Sequence, residues 1–241
     1  MEKIDAIILA GGEGKRLRSI VNEIPKPLAT VGGKPFLDIL IEQLSEFNYI
    51  NSVVLAVGYK AEKIIERYKD CSKYNFNITF SIEEELLGTG GAIKKAIKHT
   101  KTKDILVLNG DSYTEVNIKD LIITHRNNEA KITIVLLEVE DVSRYGSVRV
   151  NSQNRILSFE EKKEDTGTGL INAGIYLIQK NIFSDIEENK VISFEKEVLP
   201  IFIRNFKNNI YGYIVKGEFI DIGIPETYKI ASKYLKKRVF G

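Results

Sequence analysis

The sequence predicts an α/β fold built on a mixed, largely parallel central sheet. Three observations carry this. Short runs of branched aliphatic residues alternate with helical patterns as far as Val139. The first apolar run ends in a glycine-rich, basic loop, as happens at the carboxyl edge of an open sheet. Beyond Val139 several strand-like runs follow one another with short connections, which reads as a mixed extension of the same sheet.

The elements can be justified in order. Ile4–Ala10 is an apolar run short enough for a buried strand. It empties into LAGGEGKRLR, Leu9 to Arg18. Lys34–Phe47 places Leu37, Leu40, Ile41 and Leu44 on one helical face, with Pro35 in the first turn, where a missing N–H costs nothing. Ser52–Gly58 and Asn77–Glu83 read as strands around the helical pattern Ala61–Tyr68. Thr89–His99 and Asn117–Asn127 read as helices, Asp104–Asn109 and Lys131–Val139 as strands. In the second half, Ser147–Val150, Arg155–Glu161, Leu170–Ile178, Ile210–Val215 and Glu218–Ile222 are strand candidates. Phe194–Phe206 and Pro225–Lys236 are helix candidates. No Gly/Ser/Pro-rich linker divides the chain. One domain over 1–241 is expected, its second half (141–241) a mixed extension of the sheet begun in the first (1–140).

Composition narrows the function classes. Of 241 residues, 43% are hydrophobic and 28% charged, and the formal net charge is only +2. A duplex nucleic-acid binder concentrates more positive charge, so no nucleic-acid partner is expected. There is one cysteine, Cys71, and two distant histidines, His99 and His125, which argues against a disulfide or a zinc site. No run approaches the ~18 apolar residues of a membrane span, and the N-terminus is unlike a signal peptide. A cytoplasmic protein with no membrane partner is the expectation; a homo-oligomer is left open.

Candidate chemistry starts in the opening loop. Gly11, Gly12 and Gly14 let backbone N–H groups approach an anion, and Lys15, Arg16 and Arg18 add positive charge. The P-loop pattern fails because Arg16 follows Lys15. The dinucleotide pattern fails because Leu17 stands at its third glycine, which counts against a nicotinamide-dependent oxidoreductase. An ordinary strand-to-helix turn with solvated charges is the plain alternative. Two prolines then bracket Lys26 and present it from a rigid segment. Asp111 ends an apolar strand at the same edge, and Asp221 lies among apolar residues in FIDIGIP. Two carboxylates meeting at a triphosphate would suit Mg²⁺. Glu160-Glu161-Lys162-Lys163 is either a solvated charge run or, with Lys162 inward, a second phosphate contact with Glu161 accepting sugar hydroxyls.

These motifs occur in a familiar order: LAGGEGKRLR, PKPL, LGTGGA (Leu87–Ala92), NGD, Tyr145-Gly146, EEK (Glu160–Lys162), NAGIY (Asn172–Tyr176) and FIDIGIPETY (Phe219–Tyr228). The chain resembles the sugar-1-phosphate nucleotidyltransferases over nearly its whole length. It looks most like those that make GDP-heptose from D-glycero-α-D-manno-heptose 1-phosphate. Mannose-1-phosphate guanylyltransferases are similar but more often read LGTAG. The resemblance implies a Rossmann-like, GT-A-like nucleotidyltransferase fold, with GTP and a sugar 1-phosphate as substrates and Mg²⁺ as cofactor. Transfer from UTP or dTTP, and a non-catalytic regulatory protein, are the alternatives.

By the same resemblance, Arg16 and Lys26 bind the triphosphate, Asp111 and Asp221 hold Mg²⁺, and Lys162 grips the sugar phosphate. The catalytic set is Arg16, Lys26, Asp111 and Lys162. The resemblance thus makes 1–140 the nucleotide-binding half and 141–241 the sugar-phosphate-binding half. Leu9, Ala10, Gly11, Gly12, Gly14, Lys15, Glu83, Glu85, Gly88, Thr89 and Gly110 complete the nucleotide site, while Tyr145, Gly146, Glu161 and Asn172 line the sugar. Lys15 stands where the family commonly has threonine and Ser19 where it often has proline. Lys15 therefore either substitutes charge for a hydroxyl or faces solvent; solvent is favoured because Arg16 already supplies the basic group. Guanine offers two donors that one of Glu83, Glu84 or Glu85 can accept. Otherwise this is a solvated acidic turn, and backbone groups choose the base.

Overall fold

The computed structural model describes residues 2–21, 23–143, 145–161, 167–206 and 208–239; the side chains of 161, 234 and 236–239 are not described. The elements in chain order begin with β1 (Ile4–Leu9), a hairpin of β2 (Thr30–Val31) and β3 (Lys34–Pro35), α1 (Phe36–Ser45), β4 (Ile50–Val57), α2 (Ala61–Tyr68) and β5 (Asn77–Ile82). Next come α3 (Gly88–Ala96), β6 (Asp104–Asn109), β7 (Ser112–Thr114), α4 (Ile118–Asn127) and β8 (Ile132–Val139). The second half holds β9 (Gly146–Val150), β10 (Ile156–Glu161), β11 (Gly169–Gln179), α5 (Leu199–Asn205), β12 (Ile210–Val215), β13 (Phe219–Asp221) and α6 (Pro225–Val239).

Among the described residues nine strands form one sheet in the order β10-β9-β11-β6-β1-β4-β5, with β8 branching from β11 and β12 pairing parallel to β8. β6, β1, β4 and β5 are parallel, as crossovers through helices require. β11 runs antiparallel to β6, β8 and β9 and carries the sheet into its second half. Its register shifts between Asn172 and Tyr176, where Gly174 takes a φ of +74°. β7 and β13 pair separately, with Asp221 opposite Ser112.

Alternation along β1 sorts the core into two layers. Ile4, Ala6 and Ile8 face α1 and α4, packing with Leu37, Leu40 and Leu121. Ile7 faces the other way, toward Ile93 of α3 and a cluster of Phe183, Phe194 and Phe202. Burial on both faces explains why these strands read as unbroken apolar runs.

Two expectations are corrected. The helix expected from Lys34 begins at Phe36, because Gly32 and Gly33, both at positive φ, fold Lys34–Pro35 back on Thr30–Val31. The single helix expected over Phe194–Phe206 opens with a π-helical turn at Phe194–Val198. Pro200 cannot donate to Lys196, so the first turn is wide there: both Glu197 and Val198 N–H groups donate to Ser193 O at 3.2 Å.

Candidate active site

The carboxyl ends of β1, β5 and β6 meet at a cavity of about 450 Å³. The opening loop forms its floor and is stitched to its neighbours by backbone bonds. Ala10 N donates to Ala56 O at 2.8 Å, Tyr59 N to Gly11 O at 2.9 Å and Gly110 N to Leu9 O at 3.0 Å. The crossing is too close for side chains: a Cβ on Gly110 would lie 2.3 Å from Leu9 O, and one on Gly11 2.7 Å from Glu83 Oε1. Gly12 differs, since nothing stands within 4 Å of where its Cβ would be. It is therefore the glycine that leaves the loop open to a ligand. Gly14 adopts a φ of +60° and starts a 3-10 turn over Lys15–Leu17.

The basic residues of this loop separate by role. Arg16 is exposed at the cavity and makes no hydrogen bond or ion pair among the described residues. Lys15 lies at the mouth with its side chain 71% exposed and pairs with Glu13 at 2.6 Å. Arg18 also holds Glu13, at 3.1 Å, and stacks over Tyr59. Of the three, Arg16 is the cation free to meet an anion.

Lys26 lies in a 3-10 turn between Pro25 and Pro27 and is only 9% exposed. Its Nζ donates to Asp111 Oδ2 at 2.6 Å. Asp111 in turn sits beside Asp221: Ile222 N donates to Asp111 O at 2.9 Å, and Asp221 Oδ1 accepts from Gly223 N. Burial pushes the Asp221 carboxyl above the usual carboxylate range, and the negative charge of Asp111 adds to this. Arg16 and Lys26 pull it back down. Arg16, Lys26 and Asp111 thus line one cavity, with Asp221 beside Asp111, while Lys162, the third cation expected to converge with them, lies outside the described residues.

On the far wall, Glu83 is buried and accepts from Leu87 N at 2.9 Å. Burial raises its pKa against that bond. Glu85 is exposed and does not line the cavity, a correction to its expected role. Strand alternation at the end of β5 turns Glu83 inward and its neighbour Glu84 outward. Gly88, at a φ of +70°, is required for packing, since a Cβ there would meet Ile192 O at 2.7 Å. Thr89 lines the cavity, but its hydroxyl is committed to Glu195 Oε2 at 2.7 Å and Phe194 N at 2.8 Å.

The residues expected to hold the sugar lie along β9, β10 and β11. Gly146 pairs with Glu161 and Ser147 with Ile171, so Asn172 follows one position on. Asn172 Nδ2 donates to the Tyr176 hydroxyl at 2.6 Å, which donates to Glu195 Oε1 at 3.3 Å. A polar chain thus joins Thr89 at the cavity to Asn172 in the second half. The Tyr145 ring packs edge-on against Phe219, with centroids 5.3 Å apart. Tyr145, Gly146 and Asn172 do not line the cavity. Lys162 and the side chain of Glu161 lie outside the described residues.

Several cavity residues were not singled out from sequence. Leu86 supplies an apolar wall beside Ala92, the last residue of the LGTGGA turn. Asn109 also faces the cavity, and its Oδ1 is buried without a hydrogen-bond partner among the described residues. Its position at the end of β6, two residues before Asp111, was the available clue.

A family model described as "Nucleotidyl transferase" matches residues 5–238. A D-glycero-alpha-D-manno-heptose 1-phosphate guanylyltransferase of Campylobacter jejuni is 43% identical over 226 residues, covering 93% of this chain and 97% of that protein. One of the same name from Aneurinibacillus thermoaerophilus is 39% identical over 234 residues, covering 97% and 99%. Among solved structures, HddC from Yersinia pseudotuberculosis complexed with GMP-PN has a TM-score of 0.82 at 39% identity, over 95% of this chain and 98% of that one.

Proposed function

The chain belongs to the nucleotidyl transferase family, and from that premise we propose that it transfers GMP from GTP to D-glycero-α-D-manno-heptose 1-phosphate. A phosphate oxygen of the sugar attacks the α-phosphorus. The bond from that phosphorus to the bridging oxygen breaks, and pyrophosphate leaves with the electron pair. The two relatives named for this reaction, each matched over nearly its full length, support the choice of base and sugar.

The attacking group is already an anion, so no general base is needed. The obstacle is charge: one polyanion must approach another, and negative charge grows on the departing pyrophosphate. Positioned cations address both. Arg16, free of protein partners, takes the triphosphate by paired hydrogen bonds. Lys26, held rigidly at Asp111, adds a second cation in a nearly dry setting. Lys162 draws in the sugar phosphate. The single observation that carries this reading is the meeting of Arg16 and the Lys26–Asp111 pair at the rim opened by Gly12.

The acids suit a divalent cation. Asp221 is crowded by Asp111, so two carboxylates stand side by side at the rim. That is the donor set of a hard ion that takes its other oxygens from phosphates and water. Asp111 and Asp221 would hold Mg²⁺, which when bound neutralises phosphate charge. Glu83 Oε1 accepts from guanine, Oε2 being held by Leu87 N.

No helix among the described residues is long and apolar enough to cross a membrane. We place the reaction in the cytoplasm, where GTP is available, with its product feeding a bacterial surface polysaccharide. The test is a matrix of nucleoside triphosphates against sugar 1-phosphates, scored by pyrophosphate released. GTP with the heptose phosphate should give the highest kcat/KM; a higher value for mannose 1-phosphate or for UTP would overturn the assignment.

A further inference from the structure

We propose that a second cavity, at the opposite end of the parallel strands, binds a small ligand carrying adjacent phosphates. It lies where β1, β4 and β6 begin, a strand's length from the active site, or about 20 Å for six residues. Its volume is about 970 Å³. Five cations line it, Lys3, Lys101, Lys103, Arg126 and Lys131, against three acids. One of those acids, Asp104, is buried and already bound by Arg126 at 3.1 Å. Lys131 is held by Gln179 at 3.0 Å. Lys3, Lys101 and Lys103 make no side-chain hydrogen bond or ion pair among the described residues.

A ring of surface lysines alone would not suffice. Here the loop that carries two of them is fixed from beneath. Asp5, with no exposed surface, accepts from Lys101 N at 2.5 Å and Thr102 N at 2.9 Å, and also from Asn51 and Ser52. Buried polar groups gather at this end: Asp5, Thr100, Asp104, His125, Thr133 and Gln179 are six of fourteen in the described chain. Burying such groups costs free energy unless each is satisfied.

One of them is not. His125 lines the cavity and is 1% exposed; its Nδ1 meets Thr133 Oγ1 at 2.8 Å, while its Nε2 has no hydrogen-bond partner. Asp104 Oδ1 is 3.8 Å from that nitrogen, beyond hydrogen-bond reach. In the tautomer in which the Thr133 hydroxyl donates to Nδ1, Nε2 carries the proton and is a buried donor that no protein group uses. Three unpaired ammonium groups on two segments, one of them anchored from beneath by Asp5, match a diphosphate better than a single carboxylate. This site is independent of the transfer reaction and does not need its reading to hold.

The test uses inorganic pyrophosphate and the full chain at physiological salt. Because the sequence has two histidines, the ring ¹⁵N signals of His125 can be followed singly. In the wild type they should shift saturably as pyrophosphate is added. The same shift and midpoint are expected in Arg16→Gln, which disables the active-site cation only. In Lys101→Gln/Lys103→Gln the midpoint should weaken about a hundredfold, tenfold for each charge-assisted bond lost. Both lysines are exposed, so folding should be unaffected, and an unchanged melting temperature checks this. An unmoved His125 signal, a shift that never saturates, or a midpoint unchanged in the double variant would overturn the proposal.

Discussion

Lys26 Nζ lies 2.6 Å from Asp111 Oδ2, across 85 positions of sequence. The lysine comes from a proline-bounded turn and the aspartate from the end of β6. The contact joins two distant segments beside the opening loop, and Gly14 packs directly on the lysine, where a Cβ would lie 2.9 Å from Lys26 Cβ. Arg16, one turn further along, has no such tie.

The difference predicts how the two basic residues fail. Arg16→Ala removes an exposed, unpaired side chain and should leave the melting temperature unchanged. Turnover should fall by about 10²-fold or more, the cost of one preorganised cation on a developing negative charge. Lys26→Ala should lower turnover similarly, but should also destabilise the fold, since it truncates a buried side chain and removes the cation that offsets the crowding of Asp111 and Asp221. Pyrophosphate release and thermal melts on both variants separate the cases. Near-normal turnover in Arg16→Ala would remove it from the mechanism.

The glycines that line the cavity should divide in the same manner. Gly110→Ala forces a methyl to within 2.3 Å of a backbone oxygen and should cost about 1–3 kcal/mol of stability. Gly12→Ala meets open space and should melt as the wild type does. If the nucleotide approaches there, GTP affinity in Gly12→Ala falls while stability holds. A titration with GTP beside urea unfolding reads both, and unchanged GTP affinity would place the ligand elsewhere.

Much of this was legible in the sequence, and the reasons are physical. Ala61–Tyr68, Asp104–Asn109 and Ile210–Val215 begin and end where periodicity sets them. Arg16 and Asp111 stood out because ligands gather beyond the carboxyl ends of parallel strands, Lys26 because two prolines hold it and Asp221 because it lies among apolar residues; Arg16, Lys26 and Asp111 line one cavity. What stayed hidden depends on distant contacts. Ser112–Thr114 is a strand only because Phe219–Asp221 lies beside it. The π-helical turn before Pro200 is masked by a continuous apolar pattern. The edge-on contact of Tyr145 with Phe219 joins residues 74 positions apart, and no local pattern announces it. Glu83 and Glu85 are alike on paper, and only burial tells them apart.

Base choice follows from that burial. Glu83→Gln keeps an oxygen for Leu87 N but puts an amide donor, or a second neutral group, where a carboxylate oxygen faced the cavity. Guanine's donors then lose a charged acceptor. We expect kcat/KM for GTP to drop by about 10–100-fold, on the scale of one to three kcal/mol for a charge-assisted bond. Discrimination against ATP should narrow in parallel, and melting should shift little. Equal losses with GTP and ATP would show that backbone groups select the base.

The last prediction concerns acid stability and comes from His125. Burial holds its pKa at about 4, against an ordinary value near 6.5, and the negative charge of Asp104 only partly offsets this. Asp104 is spent on Arg126, and at 3.8 Å it is too far to pair well with the ring. The folded state therefore binds fewer protons than the unfolded chain between those two values. Stability should fall as pH drops from 6.5 toward 4 and level off below, by about 3 kcal/mol for this group in full. Above pH 6.5 the group contributes no slope. His125→Gln keeps a polar partner for Thr133 and removes the titration, so its unfolding free energy should change less with pH across that window, even if lower throughout. Urea unfolding of both proteins from pH 7 to pH 4 gives the difference curve. Parallel curves would mean that His125 is charged when folded, and that Asp104, not burial, sets its state.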